Sequence, residues 1–176
     1  MAATLSPCVP PEGAAGERTL RLVRTWGVGD AAGIGRVRHD VVDCLSSAAP
    51  GPRGHLGLVG SPGEPLAHGG LVELRNRVAL SCSELVTNAL RHGQPPIEVR
   101  LLTDGDAWLL DVTDAATDRL PNPYPERPLG HGGYGLLLVA RLASQLGWYV
   151  SDDAKHVWAR IELAPDADLV EELATG

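Results

Sequence analysis

Phenylalanine is absent from this chain of 176 residues, and aromatics together make up only 4%. A core must therefore be built from Leu, Val and Ala. Lysine is almost absent too: Lys155 stands alone against fourteen arginines. With 21 Gly and 14 Pro beside abundant Ala, the composition points to a GC-rich, bacterial genome. The formal net charge is −7, which argues against a direct nucleic-acid binder, since that needs a basic surface. The cysteines, Cys8, Cys44 and Cys82, are odd in number and widely spaced. They form no disulfide or metal-ligand pattern, which fits a reducing cytoplasm. No apolar run is long enough to span a membrane. The N-terminus lacks the basic-then-apolar order of a secretory signal. The expectation is a cytoplasmic protein that makes no use of the membrane.

What is present divides cleanly. Residues 1–17 are rich in Ala, Pro and Gly and read as a disordered leader. Alternation over Thr19–Trp26 predicts a first strand. Asp30 is a candidate N-cap, and Ile34, Val37, Val41, Val42 and Leu45 predict a helix over 31–47. Residues 48–69 read as a long loop. Leu71–His92 reads as a second helix, with Gly93 just past its end. Ile97–Leu102 and Trp108–Val112 read as a hairpin turned by Asp104-Gly105-Asp106. Residues 115–132 form a polar loop, and Gly135–Leu146 a third helix. Gly147–Ser151 and His156–Leu163 are strands about a turn at Asp152-Asp153. Residues 164–176 form an acidic tail with a short helical stretch at Leu169–Leu173. Trp108, Trp148 and Trp158 lie in strands and read as core. The order predicts one α/β (α+β) domain over 18–163, a two-layer sandwich. Its sheet would be mostly antiparallel, with the helices on one face.

Three segments carry chemistry. In Glu84-Leu-Val-Thr-Asn-Ala-Leu-Arg-His92, Glu84 and Asn88 are four residues apart and share a helix face. An amide oxygen suits Mg²⁺, a hard cation with oxygen ligands. A carboxylate one turn away can accept a proton. Val78, Cys82, Leu85 and Ala89 bury the opposite face. By itself such a pair also fits a solvated helix. The second segment, Asp111-Val-Thr-Asp114, places a carboxylate at a strand end, where it could accept from adenine's amine or simply form a turn. The third, Gly130-His131-Gly132-Gly133-Tyr134-Gly135-Leu136, leads into a helix. Its glycines allow close approach to an anion, and the helix N-terminus adds open N–H groups. A loop that merely caps a helix reads the same way. No Lys-Ser/Thr follows, so it is not a Walker loop.

Other candidates carry less. His92, His131 and His156 are scattered without zinc spacing. Ser81, Ser83 and Thr87 share the helix of Glu84, but no Gly-flanked nucleophile elbow is present. Arg91 suits either a phosphate or the helix dipole.

In this order the three segments resemble the GHKL ATPase superfamily, and the helix segment resembles its anti-sigma-factor serine kinase branch. The resemblance covers about residues 70–163 and implies a Bergerat-type ATP-binding fold. It implies ATP and Mg²⁺ as cofactors, with Asn88 as the Mg²⁺ ligand and Glu84 activating the nucleophile. Asp114 would read adenine beside Ala116. Gly130, His131, Gly132, Gly133, Tyr134, Gly135 and Leu136 would form the phosphate-holding box, with Arg91 nearby and 115–132 as the ATP lid. The implied partners are a sigma factor and a STAS-domain antagonist phosphorylated on Ser, with a homodimer also in keeping with the branch. Family members carry glycines two and four residues after the adenine-reading Asp. Here these are Ala116 and Asp118. Where a Thr usually follows Lys in the last strand, this chain has His156, implying loss of a hydroxyl beside the adenine site. A non-catalytic, partner-binding module with a degenerate nucleotide site is the alternative. A detached histidine-kinase catalytic domain would need a dimerisation hairpin, for which the helix carrying His39 is a poor fit.

Overall fold

The computed structural model describes residues 19–47, 68–121, 134–151 and 153–162. The leader, the acidic tail, most of the 48–69 loop, residues 122–132 of the lid and Gly133 lie outside the described residues. Along the described chain run β1 (Arg21–Val28), α1 (Ala32–Ser47), α2 (His68–His92), β2 (Ile97–Thr103) and β3 (Ala107–Asp114). They are followed by α3 (Gly135–Leu142), β4 (Gln145–Ser151) and β5 (Ala154–Glu162). The five strands form one antiparallel sheet in the order β1-β2-β3-β5-β4. The expected two-layer arrangement is therefore present.

Strand alternation divides the sheet into two faces. Ile97, Val99, Leu101, Leu110, Val112, Val157, Ala159 and Ile161 point into one core. The helices bring Val37, Val41, Val78, Cys82, Leu85, Val86, Leu136 and Val139 to the same core. α2 lies across β3 and β5, flanked by α1 and α3. The residues expected to bury the apolar side of α2 do so: Val78, Cys82, Leu85 and Ala89 are all buried.

Some boundaries differ from expectation. β1 runs two residues later than expected, to Val28, because Trp26 and Val28 pair with Val99 and Ile97. α2 starts earlier, at His68. α3 stops at Leu142 instead of Leu146. Ala143 is extended, and Gln145 already pairs with Arg160 in the sheet. The apolar run misled here, since Leu146 and Trp148 are helix-side positions of a strand. Arg77 of α2 fixes this corner: Nε and Nη2 donate to Leu142 O at 2.8 and 2.6 Å, and Nη1 donates to Glu162 O at 3.0 Å.

The hairpin turn follows its chemistry. Gly105 has φ +95°, a left-handed conformation suited to glycine. Asp104 Oδ1 accepts from the Asp106 and Ala107 amides at 3.0 and 2.9 Å. Gly93 differs, because it does not have positive φ. It is glycine for lack of room: a Cβ there would sit 2.5 Å from Asp114 Cγ and 2.6 Å from Ala89 O.

The three strand tryptophans divide. Trp108 and Trp148 are half-buried against the helix-side core. Trp158 is 1% exposed but lies on the opposite face, where its ring fills the space a Gly147 side chain would take.

Candidate functional site

α2 carries the site along its length. Glu84 and Asn88 are both half-buried and lie one turn apart on the same side of α2. The Glu84 carboxylate lies against the first residue of α3: a Cβ on Gly135 would overlap Glu84 Oε2. Tyr134 stands at the N-cap of α3 and makes no side-chain capping hydrogen bond. Negative charge is favoured at such an end.

At the other end of α2, Gly93 closes against Asp114. The Ala115 amide donates to Gln94 O at 2.8 Å, tying the exit of β3 to the exit of α2. Nine residues separate Glu84 from Gly93, about 13 Å along a helix. That span is comparable with the length of a nucleoside triphosphate from its phosphates to its base.

Asp114 is buried and held on both oxygens. Oδ1 accepts from the Ala116 amide at 2.8 Å. Oδ2 is 3.3 Å from Lys155 Nζ, which also donates to Arg119 O at 2.8 Å. Lys155 is the cross-strand partner of Asp114. Ala116 is buried.

Of the expected residues, the structure brings Glu84 against Gly135 of α3, with Asn88 one turn further along α2. It connects Asp114, Ala116 and the end of α2 separately. Arg91 is exposed in the last turn of α2, where a cation suits the helix's carbonyl end. Tyr134 is exposed, and Leu136 is a core residue. Asp118 is exposed. Gly130, His131, Gly132 and Gly133 lie outside the described residues.

One expectation is corrected. His156 is not beside Asp114. Strand alternation turns it to the opposite face of the sheet, and Lys155 takes the position facing Asp114. His156 belongs instead to a polar cluster. Its Nδ1 is 3.1 Å from Asp111 Oδ2, and its Nε2 is 3.0 Å from Ser151 Oγ. Tyr149 stacks on its ring at 4.2 Å. Arg100 completes the cluster through Asp111. Burial opposes the charge on Arg100, but hydrogen bonding and charge pairing with Asp111 hold its pKa above the usual arginine value, with smaller help from Tyr149. No signal in the sequence pointed to this cluster beyond the alternation itself. The role of Lys155 had a readable one: a lone lysine inside a strand of buried residues.

Among the described residues, no three His, Cys, Asp or Glu side chains converge. A Mg²⁺ held by one amide and by substrate phosphates needs no such cluster. The donor set fits that cofactor pair: the Asn88 amide oxygen, the Glu84 carboxylate, the start of α3 and the buried Asp114 carboxylate. An open cavity of about 300 Å³ lies elsewhere, lined by Gly29, Asp30, Ala32, Gly33 and Arg36 at the start of α1. None of these belongs to the site. No described helix is long and apolar enough to cross a membrane.

Residues 66–161 match the family model of the histidine kinase-like ATPase domain, over half of the chain. The chain belongs to that family. No curated protein matches it significantly.

Proposed function

From its place in the histidine kinase-like ATPase family, we propose that this chain is an ATP-dependent protein-serine kinase of the anti-sigma-factor type. The observation that carries the reading is Glu84 and Asn88 one turn apart on α2, with the first residue of α3 against the Glu84 carboxylate. The partners are a sigma factor, held inactive, and a STAS-domain antagonist phosphorylated on Ser. The protein works in the cytoplasm.

The chain's own residues divide the work. Asn88 offers an amide oxygen as the protein ligand of Mg²⁺. Glu84 accepts the proton of the attacking serine hydroxyl. The N–H groups at Tyr134–Leu136 face the phosphates, and Asp114 orients the base. Bound Mg-ATP supplies the transferable phosphoryl group and the charge neutralisation that such transfer needs. The protein contributes positioning and fixed charge.

The experiment is calorimetric titration with Mg-ATP, followed by phosphotransfer to a STAS-type protein. Asn88→Ala is expected to abolish Mg-dependent binding. Glu84→Ala is expected to bind but not transfer. Full transfer by Glu84→Ala would refute its role as base.

A second reading has one specific observation behind it. The base-facing carboxylate is already paired with Lys155. A partner-binding module without catalysis would tolerate that pairing. It predicts capture of the partner with no phosphotransfer.

A further inference from the structure

The sheet face turned away from α2 carries a chain of polar groups that the nucleotide site does not use. Strand register builds it. Tyr149 pairs with His156, and Ser151, two residues on, stands diagonal to His156 on the same face. Asp111 pairs with Trp158, two residues beyond His156, so it flanks the ring from β3. Ser151 Oγ is 3.0 Å from His156 Nε2. His156 Nδ1 is 3.2 and 3.1 Å from Asp111 Oδ1 and Oδ2. Asp111 and His156 are buried, whereas Ser151 is exposed.

The neighbours decide where the ring proton sits. An ionised carboxylate only accepts hydrogen bonds, so the ring nitrogen facing both of its oxygens carries the hydrogen. Arg100 Nη2 lies 3.3 Å from the same nitrogen, farther than either oxygen, and donates to Asp111 itself. In the neutral ring Nε2 is then the acceptor, and the Ser151 hydroxyl donates to it. Tyr149, stacked 9° from parallel at 4.2 Å, fixes the ring plane. The hydroxyls of Ser46, Ser47, Ser83 and Ser144 are placed differently, each donating to a backbone carbonyl oxygen. A carbonyl orients a hydroxyl but is too weak a base to take its proton at neutral pH, whereas an imidazole takes it readily.

We infer that Ser151 is an activated nucleophile, a second reactive centre on this face of the sheet, and that it takes acyl groups from activated esters. The arrangement is hydroxyl, base and orienting carboxylate, recognised by geometry and not by sequence order. Ser151 Oγ attacks the ester carbonyl carbon while its proton passes to His156 Nε2. The bond from that carbon to the leaving oxygen breaks, and the leaving alkoxide takes the proton back from the imidazolium. The products are acyl-Ser151, the free alcohol and a neutral ring. Asp111 is a positioning residue that holds the tautomer and steadies the transient imidazolium. Esters with good leaving groups suit a nucleophile that faces solvent. The inference stands independently of the nucleotide reading.

The test is incubation of the full chain with p-nitrophenyl acetate, the acetyl group being located and timed by peptide mass spectrometry. Lys155 is the only lysine and is buried, so no exposed lysine competes for the reagent. Ser46 and Ser47 are exposed and serve as internal controls. Ser151 is expected to acetylate at least about a hundredfold faster than either. His156→Gln should remove about that factor at Ser151. Asp111→Asn should slow Ser151 at least about tenfold and leave Ser46 and Ser47 unchanged, whereas a general loosening would raise all three. Circular dichroism confirms that each variant is folded. If neither variant folds, the ranking of serines in the wild type still decides. Acetylation of Ser151 no faster than that of Ser46 and Ser47 overturns the inference. So does a folded His156→Gln that acetylates Ser151 at the wild-type rate.

Discussion

Gly93→Ala tests the joint between α2 and β3 most sharply. The added Cβ would meet Asp114 Cγ at 2.5 Å, Ala89 O at 2.6 Å and Asp114 Oδ2 at 2.7 Å. Ordinary contact begins near 3.4 Å, so something must move by close to 1 Å. Neither neighbour gives way freely. Ala89 O is backbone and already accepts the Gly93 amide at 2.8 Å. Asp114 is held by the Ala116 amide and faces Lys155. Overpacking of this kind costs about 1–3 kcal/mol. Against it stands a gain of about 0.5 kcal/mol, because alanine restricts the unfolded chain and φ at this site is not positive. The clash wins, and the net loss is about 1–2 kcal/mol. For a chain of this size that lowers Tm by about 3–6 °C, read by thermal circular dichroism. Two of the three clashes involve Asp114, so the cost should shrink in an Asp114→Ala background. A Tm within about 1 °C of wild type, or an undiminished cost in that background, would show that the Cβ meets no such clash at this joint.

Three more expectations follow from other corners of the molecule. Arg77→Ala removes three hydrogen bonds to Leu142 O and Glu162 O and should cost about 2 kcal/mol in urea unfolding, with faster amide exchange in α3. Arg100→Met strips Asp111 of its cation on the outer sheet face and should cost about 2–3 kcal/mol, while Arg100→Lys should recover part of it. Burial pushes the Cys82 thiol from an ordinary 9.0 up to about 12, opposed weakly by Arg38. The folded protein therefore binds this proton more tightly than the unfolded chain. Its contribution to stability is complete below pH 9 and is lost as pH rises towards about 12. Cys82→Ala should flatten that part of the stability profile, and native Cys82 should resist thiol reagents that label the half-buried Cys44.

The elements were legible where periodicity was long. The apolar stripe Val78, Cys82, Leu85 and Ala89 marked α2 and, by exclusion, the flank that carries Glu84 and Asn88. The turn at Asp104-Gly105-Asp106 marked the β2–β3 hairpin. The α3–β4 join was misread because apolar residues continue through Leu146, and only the pairing of Gln145 with Arg160 ends the helix. The site was legible in its local parts and not in its long-range ones. Asn88 and Glu84 are one turn apart in sequence. The pairing of Asp114 with Lys155 depends on the β3–β5 register across 41 positions of chain. Neighbouring residues of a strand face opposite sides, so His156, placed beside the adenine site by the family pattern, faces away while Lys155 faces Asp114. Gly93 was explained by helix ending when the cause is the nearby Asp114.

The proposed function requires that the face of α2 bearing Glu84 and Asn88 binds Mg-ATP. Calorimetric titration of wild type and Asn88→Ala, with and without Mg²⁺, tests it most directly. The wild type is expected to show micromolar, Mg-dependent binding that Asn88→Ala loses, with both proteins melting alike. Equal binding by the two proteins, or none by either, would contradict it.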